Sequence, residues 1–169
     1  MSPAQTQFEE VLTVLEQALA HKKAVAVLGC GSPLRGDDAV GSVIAEQLAQ
    51  QLPEHEGRAR VFQGEAAPEN QTGAIKHYDP DLILVIDAMD LGLQAGEVRI
   101  IPLDEVASFS FSTHMLPLPI VLDYLKREIG CEIVLLGIQA SSLEFLAELS
   151  KQVAQTASRL TEELTKLLS

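Results

Sequence analysis

The sequence contains no tryptophan, two cysteines and few aromatic residues of any kind. Aromatic side chains make up 4% of its 169 residues, whereas hydrophobic residues together make up 47%. This length and apolar content suit a single domain, spanning 1–169, whose core is built from Val, Ile, Leu and Ala. Cys30 and Cys131 lack the C-x-x-C spacing of a metal site. We therefore expect two reduced thiols in the core.

Positive charge is also scarce. The chain has 12 Lys and Arg residues against 24 Asp and Glu residues, giving a net charge of -12. Such a field repels polyanions, which argues against nucleic acid or an anionic membrane surface as partner. A cation, a basic peptide or a partner protein fits the charge better.

No segment has the pattern of a membrane span or a secretory signal. The longest apolar run, residues 82–88, contains Asp87 and is far too short to cross a bilayer. The first 21 residues are acidic and amphipathic, not basic and then apolar. These features predict a cytoplasmic protein.

Apolar runs and helical spacings alternate along the chain. Continuous or alternating apolar runs predict strands near 24–29, 58–63, 82–86, 97–101 and 132–138. Helical spacing predicts helices near 8–19, 40–48, 68–76, 118–129 and 146–164, and 1–23 contains an additional N-terminal helix. This order is typical of an α/β sheet covered by helices on both faces, with 97–101 as an edge strand.

Polar residues follow three of these strands, where a core does not require them. Asp37 and Asp38 follow the first strand, Asp87 ends the third, and His114 lies beyond the edge strand. Ligands bind at the carboxyl ends of strands in such folds, so these residues can converge. Taken singly, Asp37 or Asp38 suits a helix N-cap and His114 a structural histidine. Asp87 is harder to explain, because a carboxylate on a buried strand is costly unless paired or coordinated.

Together, two carboxylates and one imidazole form a plausible three-ligand metal site with open positions. The donors are hard, so they do not select a soft metal. The loop from Gly29 to Gly36 offers another interpretation, a nucleotide- or S-adenosylmethionine-binding enzyme. Its glycine spacing departs from the dinucleotide pattern, and two aspartates stand where a pyrophosphate should bind.

Several motifs in series resemble those of the [NiFe]-hydrogenase maturation endopeptidases. They are VLGCGSPLRGDD at 27–38, AAPEN at 66–70, IDAMDLG at 86–92 with GEVRI at 96–100, STHMLPL at 112–118 and LGIQ at 136–139. Their order and spacing are similar to the branch that serves hydrogenase 3, the formate-hydrogenlyase enzyme. This family often has Asn at the position of Ser32, and usually Asp-Gly-Gly where residues 63–65 are Gln, Gly and Glu.

The resemblance implies an aspartyl-type endopeptidase that removes a C-terminal extension from the hydrogenase large-subunit precursor after nickel insertion. It also implies a three-layer α/β/α sandwich with a twisted, mostly parallel five-stranded sheet including one antiparallel strand. The family's metal-contacting positions correspond to Asp38, Asp87 and His114. Because this donor set predicts weak intrinsic affinity for nickel, we expect no resident cofactor and a metal brought by the precursor.

Asp38 is the expected general base and catalytic residue, unless the metal itself polarises the carbonyl or a water. Glu65 and Asp90 are predicted to contact the substrate. We expect substitutions at Asp38, Asp87 or His114 to cause a strong loss of cleavage with little loss of stability, on the premise that the carboxylates lie at the surface. A non-catalytic scaffold for the precursor is the remaining alternative, and the predicted oligomeric state is a monomer or weak homodimer.

Overall fold

The computed structural model describes residues 1–53, 57–111 and 116–169. Within these ranges five strands form one sheet: β1 (Val25–Cys30), β2 (Ala59–Glu65), β3 (Leu82–Met89), β4 (Val98–Ile101) and β5 (Glu132–Gln139). The α-helices are α1 (Pro3–Leu19), α2 (Val40–Gln51), α3 (Thr72–Tyr78), α4 (Val106–Phe109), α5 (Leu118–Ile129) and α6 (Lys151–Leu168). None of the helices described is long and apolar enough to cross a membrane.

The strand order is β2-β1-β3-β5-β4. The pairs β1–β2, β1–β3 and β3–β5 are parallel, whereas β4 pairs with β5 in antiparallel orientation. The predicted sheet, mostly parallel and with one antiparallel strand, is therefore confirmed. Strands β1 and β3 are buried along their whole length, which explains why their sequences are apolar without alternation.

Two aliphatic clusters cover the two faces of the sheet. One packs α1, α2 and α6 against residues such as Val27 and Leu84. The other packs α3, α4 and α5 against residues such as Leu28 and Val85. Successive strand residues alternate between the two clusters, as the pleat of a strand requires. The helices thus form layers on both faces, in agreement with the predicted three-layer arrangement.

Several boundaries differ from the prediction, and the start of the last helix differs most. Helix α6 begins at Lys151, so the predicted start at Leu146 is wrong. Leu146 instead has a left-handed backbone with φ 62, in a loop outside the helix. The apolar spacing of 146–164 extends past the true start of the helix because the preceding loop is held by hydrogen bonds to Asp37.

The N-cap prediction for Asp37 and Asp38 is also wrong. Both lie in a 3-10 turn, Gly36–Ala39, and α2 follows at Val40 without any side-chain cap. Their carboxylates bond instead to backbone N–H groups in loops, Asp38 to Ser32 and Asp37 to Ser141. The paired aspartates thus shape the edge of the sheet and leave the helix end uncapped.

Helix α2 starts directly against the ends of β1 and β3, and Gly41 makes this approach possible. A Cβ atom at Gly41 would lie 2.2 Å from the Ile86 carbonyl oxygen and 2.4 Å from the Cys30 carbonyl oxygen. These are backbone atoms of two central strands, which have no room to move in a close-packed core. Gly41 therefore holds the loop before α2 close to the strand ends.

We expect Gly41→Ala to lower the free energy of unfolding by about 2 kcal/mol or more, because the new methyl group overlaps fixed backbone. Gly73→Ala is the matched control, since Gly73 lies in α3 with open space around it. That change should stabilise the protein by about 0.5–1 kcal/mol through helix propensity. Urea unfolding measures both. Equal midpoints for the two variants would contradict the close approach.

Candidate active site

The parallel register of β1 and β3 brings Cys30 and Asp87 to neighbouring positions. Gly29 is paired with Ile86, so the next residue of each strand lies at the same level. Val85 and Met89 belong to the cluster on the α3–α5 face. By alternation Asp87 points to the same face, where it occupies a position otherwise filled by apolar side chains. Asp87 is 1% exposed.

The loop after β1 folds back on itself and brings Asp38 to this edge. Gly31 has φ +116, and a Cβ atom there would lie 1.6 Å from the Asp38 carbonyl oxygen. Ser32 donates its backbone N–H to Oδ2 of Asp38 at 2.8 Å. Asp38 is 0% exposed. The conformation thus depends on a glycine at position 31 and buries the carboxylate next to the end of β1.

The pKa of the Cys30 thiol indicates which carboxylates lie near it. Burial raises its pKa well above the usual value, and the charges of Asp87, Asp38 and Glu69 raise the pKa further, in that order. A charge influences a neighbour this way only at short range. Asp38 and Asp87, far apart in the sequence, therefore both lie close to Cys30. Both carboxylates thus lie at the same edge of the sheet, and their membership of one site with His114 stays a prediction.

His114, the third predicted metal ligand, lies outside the described residues. Over 1–53, 57–111 and 116–169, no group of three His, Cys, Asp or Glu side chains is arranged to hold a metal ion. Asp38 and Asp87 could offer carboxylate oxygens to a metal ion, and the three-ligand site stays a prediction that requires His114.

Glu69 is a further carboxylate at this edge, and the sequence reasoning missed it as a site residue. It lies in a 3-10 turn, Pro68–Gln71, which follows β2 and leads into α3. Its Oε2 atom is buried and has no hydrogen-bond partner among the described residues. The signal was available, because the turn follows the end of β2, as the turn with Asp38 follows the end of β1. In the sequence, Pro68 and Glu69 predict a helix start and belong to the AAPEN motif at 66–70, and neither feature assigns Glu69 to the site.

Asp37 is completely buried and accepts four hydrogen bonds. Its Oδ1 accepts the Ser150 N–H at 2.6 Å, and its Oδ2 accepts from the Ser141 N–H, the Ser142 N–H and the Ser150 hydroxyl at 2.8, 3.2 and 2.9 Å. The Asp37 N–H in turn donates to the Ser142 carbonyl oxygen at 2.8 Å. This carboxylate therefore fixes the loop after β5 beside the loop that carries Asp38.

The two predicted substrate contacts lie at the rim. Glu65 is exposed at the end of β2 with φ 49, and its carbonyl oxygen accepts the Gly31 N–H at 2.8 Å. Asp90 is exposed just after β3, in a loop whose next residues donate backbone N–H groups to buried Gln139. Substrate contact by Glu65 or Asp90 stays a prediction.

The expectation that the carboxylates at positions 38 and 87 lie at the surface is wrong. Asp38 and Asp87 are 0% and 1% exposed. Buried carboxylates are costly, and they persist where hydrogen bonds, ligands or function require them. Substitutions at these positions therefore need a stability measurement beside the activity measurement.

Buried carboxylates at the carboxyl edge of a mostly parallel sheet define an α/β enzyme site. The family model "HycI: Hydrogenase maturation protease" matches residues 42–167. The hydrogenase 3 maturation protease of Escherichia coli K12 is 37% identical over 140 residues, covering 82% of this chain and 87% of that protein. The chain belongs to the hydrogenase maturation protease family.

Solved structures agree with this assignment. The [NiFe] hydrogenase maturation protease HycI from Thermococcus kodakarensis KOD1 superposes with a TM-score of 0.83 at 35% identity, covering 92% of this chain and 98% of that one. The endopeptidase HycI from Escherichia coli gives a TM-score of 0.74 at 34% identity, covering 85% and 90%. The fold and the hydrogenase maturation protease class expected from the motifs are thus confirmed, and the aspartyl-type mechanism stays a prediction.

Thiol chemistry offers a test of the burial of Cys30. The thiolate is the reactive form, so a raised pKa keeps Cys30 protonated and inert at pH 8. In Cys131→Ser protein, which retains Cys30, we expect labelling by an aromatic disulfide reagent only as the protein unfolds. Cys30 in this protein should be labelled at least about tenfold more slowly than Cys131 in Cys30→Ala protein. The reason is that Cys30 lies in β1, a central strand, which opens last. Rapid labelling of Cys30 in the native state would contradict the site geometry.

Proposed function

We propose that this protease removes the C-terminal extension of a [NiFe]-hydrogenase large-subunit precursor after nickel has been inserted. The observation that carries the proposal is the convergence of buried Asp38 and Asp87 at one sheet edge, in a chain of this family. The similarity to the E. coli hydrogenase 3 maturation protease favours a hydrogenase of that type as client. We also propose that the enzyme works in the cytoplasm as a monomer or weak homodimer, without nucleic-acid or membrane partners.

In this proposal the nickel ion belongs to the substrate. Asp38, Asp87 and His114 would offer two oxygens and one nitrogen to the nickel of the precursor, completing its coordination only when the two proteins meet. A site that binds free nickel weakly suits this role, because it would distinguish loaded from empty precursor. The enzyme would then have no resident cofactor.

For hydrolysis, Asp38 is the residue we assign as general base. The Ser32 N–H holds its Oδ2 atom and so fixes the orientation of the carboxylate. Asp38 would take a proton from water as the oxygen attacks the scissile carbonyl, and would return that proton to the nitrogen of the departing peptide. Alternatively, the substrate's nickel polarises the carbonyl, and Asp38 only positions it.

The nucleotide-binding alternative finds little support in the geometry of the loop. Asp37 and Asp38 are both buried directly before α2, where a pyrophosphate would need positive potential. Asp37 is already saturated by hydrogen bonds from the loop after β5. The protease assignment explains these carboxylates, whereas bound phosphate would be repelled by them.

The first test uses Asp38→Asn, Asp87→Asn and His114→Ala with nickel-loaded precursor. We expect each to lower kcat/KM by at least about 100-fold, the usual contribution of a general base or a lost ligand. Asp79→Asn is the matched control, since Asp79 is exposed just before the start of β3, at the opposite edge of the sheet, and Asn tolerates its φ of 54. Mass spectrometry of the precursor and thermal unfolding of each variant give the readouts. Wild-type cleavage by folded variants would refute the site.

The second test removes nickel from the substrate. Precursor prepared without nickel should stay uncleaved by wild-type enzyme, and nickel insertion should restore processing at the same bond. Asp38→Asn enzyme should bind the nickel-loaded precursor more weakly than wild-type enzyme does. It should bind the nickel-free precursor as well as wild-type enzyme does. Equal cleavage of both forms would overturn nickel recognition while leaving the protease activity intact.

A further inference from the structure

Large apolar side chains are exposed beside the loop that carries Asp38. Leu34 is 53% exposed, Phe145 64% and Leu146 71%. Leu34 belongs to the loop after β1, whereas Phe145 and Leu146 belong to the loop after β5. We call these three residues the apolar lip. Exposed apolar clusters of this kind usually mark a binding surface, because covering their apolar side chains with a partner lowers the free energy.

The lip is built into the fold and is not a frayed loop. The Leu146 N–H donates to the Leu34 carbonyl oxygen at 2.7 Å, which joins the two loops directly. The Asp37 carboxylate clamps the same two loops together through Ser141, Ser142 and Ser150. The lip is therefore held in place by a buried charge and by backbone bonds.

Leu146 is also held in a backbone conformation that suits it poorly. Its φ of 62 lies in the left-handed region, which glycine and asparagine adopt far more readily than leucine. The residue has neither burial nor backbone preference to favour it at this position. Unfavourable backbone combined with an exposed apolar side chain is the pattern expected where function, and not folding, selects the residue.

We propose that the apolar lip is the docking surface for an apolar segment of the hydrogenase large-subunit precursor close to the scissile bond. The inference rests on the proposed function for the identity of this client. The surface is continuous with the catalytic loop, since the Arg35 carbonyl oxygen accepts the Asp38 N–H at 3.0 Å and Leu34 directly precedes Arg35. A substrate segment held beside the Asp38 loop would therefore lie next to this surface. Exposed Glu144 and Glu148 in the same loop disfavour an acidic segment.

The test compares Leu146→Asn and Phe145→Ser with wild-type enzyme on nickel-loaded precursor. Both variants should raise KM at least about tenfold and leave kcat within about twofold, because the lip binds the substrate without touching the reacting atoms. Asparagine accepts the left-handed backbone, so Leu146→Asn should unfold at a midpoint no lower than wild type. Val14→Ser is the control, since Val14 is a 44% exposed apolar residue on α1. It should leave KM unchanged.

The outcomes separate this inference from the proposed function. If wild-type enzyme cuts the precursor and both lip variants keep its KM, or lose kcat alone, the docking surface is wrong and the function stands. If wild-type enzyme does not cut, the function fails, and the dissociation constants of wild type and lip variants for the precursor decide the surface. Absence of binding by wild type overturns both. A wild-type dimer that Leu146→Asn converts to a monomer, with unchanged affinity for the precursor, would assign the lip to self-association and overturn the proposal.

Discussion

The sheet edge that carries Asp38 depends on one buried carboxylate, that of Asp37, which takes no part in the proposed chemistry. Asp37 accepts four hydrogen bonds from the loop after β5 and belongs to the turn that also holds Asp38. Hydrogen bonds to a charged acceptor are stronger than those between neutral groups, and they offset the cost of removing the charge from water. Two loops from distant parts of the chain thereby become one rigid rim. Asp38 and the apolar lip lie on that rim.

The other buried carboxylates at this edge differ from Asp37, because they place negative charge close together. Asp38, Asp87 and Glu69 surround a thiol whose pKa their charges raise, so the edge carries concentrated negative potential in a largely water-free setting. Such an arrangement opposes folding, and a bound cation would offset the repulsion between the carboxylates. Burial and these charges keep the Cys30 thiol protonated. In the proposed function, the oxygens of Asp38 and Asp87 and the predicted ligand His114 would meet the incoming cation.

The sequence predicted the sheet well because both of its signals are local. Unbroken apolar runs identified β1 and β3, and polar residues within or beyond those runs drew attention to Asp38 and Asp87. The sequence-based prediction failed where a side chain bonds to a residue far away along the chain. The aspartate pair was interpreted as a helix cap, since no local pattern links Asp37 to Ser150. The same bond explains why the apolar spacing at Leu146 did not mark the start of α6. Glu69 was missed because a proline and a glutamate also begin helices.

Leu146 shows why these failures coincide with function. Helical spacing and apolar character both favour burying this residue in α6, yet the clamp of Asp37 holds its loop away from the helix and leaves the side chain in solvent. Local preference and tertiary structure conflict at this position, and natural proteins tolerate such conflicts mainly at functional sites. A buried charge that accepts four hydrogen bonds is strong enough to impose the conflict. The loop in which Leu146 departs from the helical pattern thus also forms the surface next to Asp38. In the proposed function, a large client protein would have to be held there during cleavage.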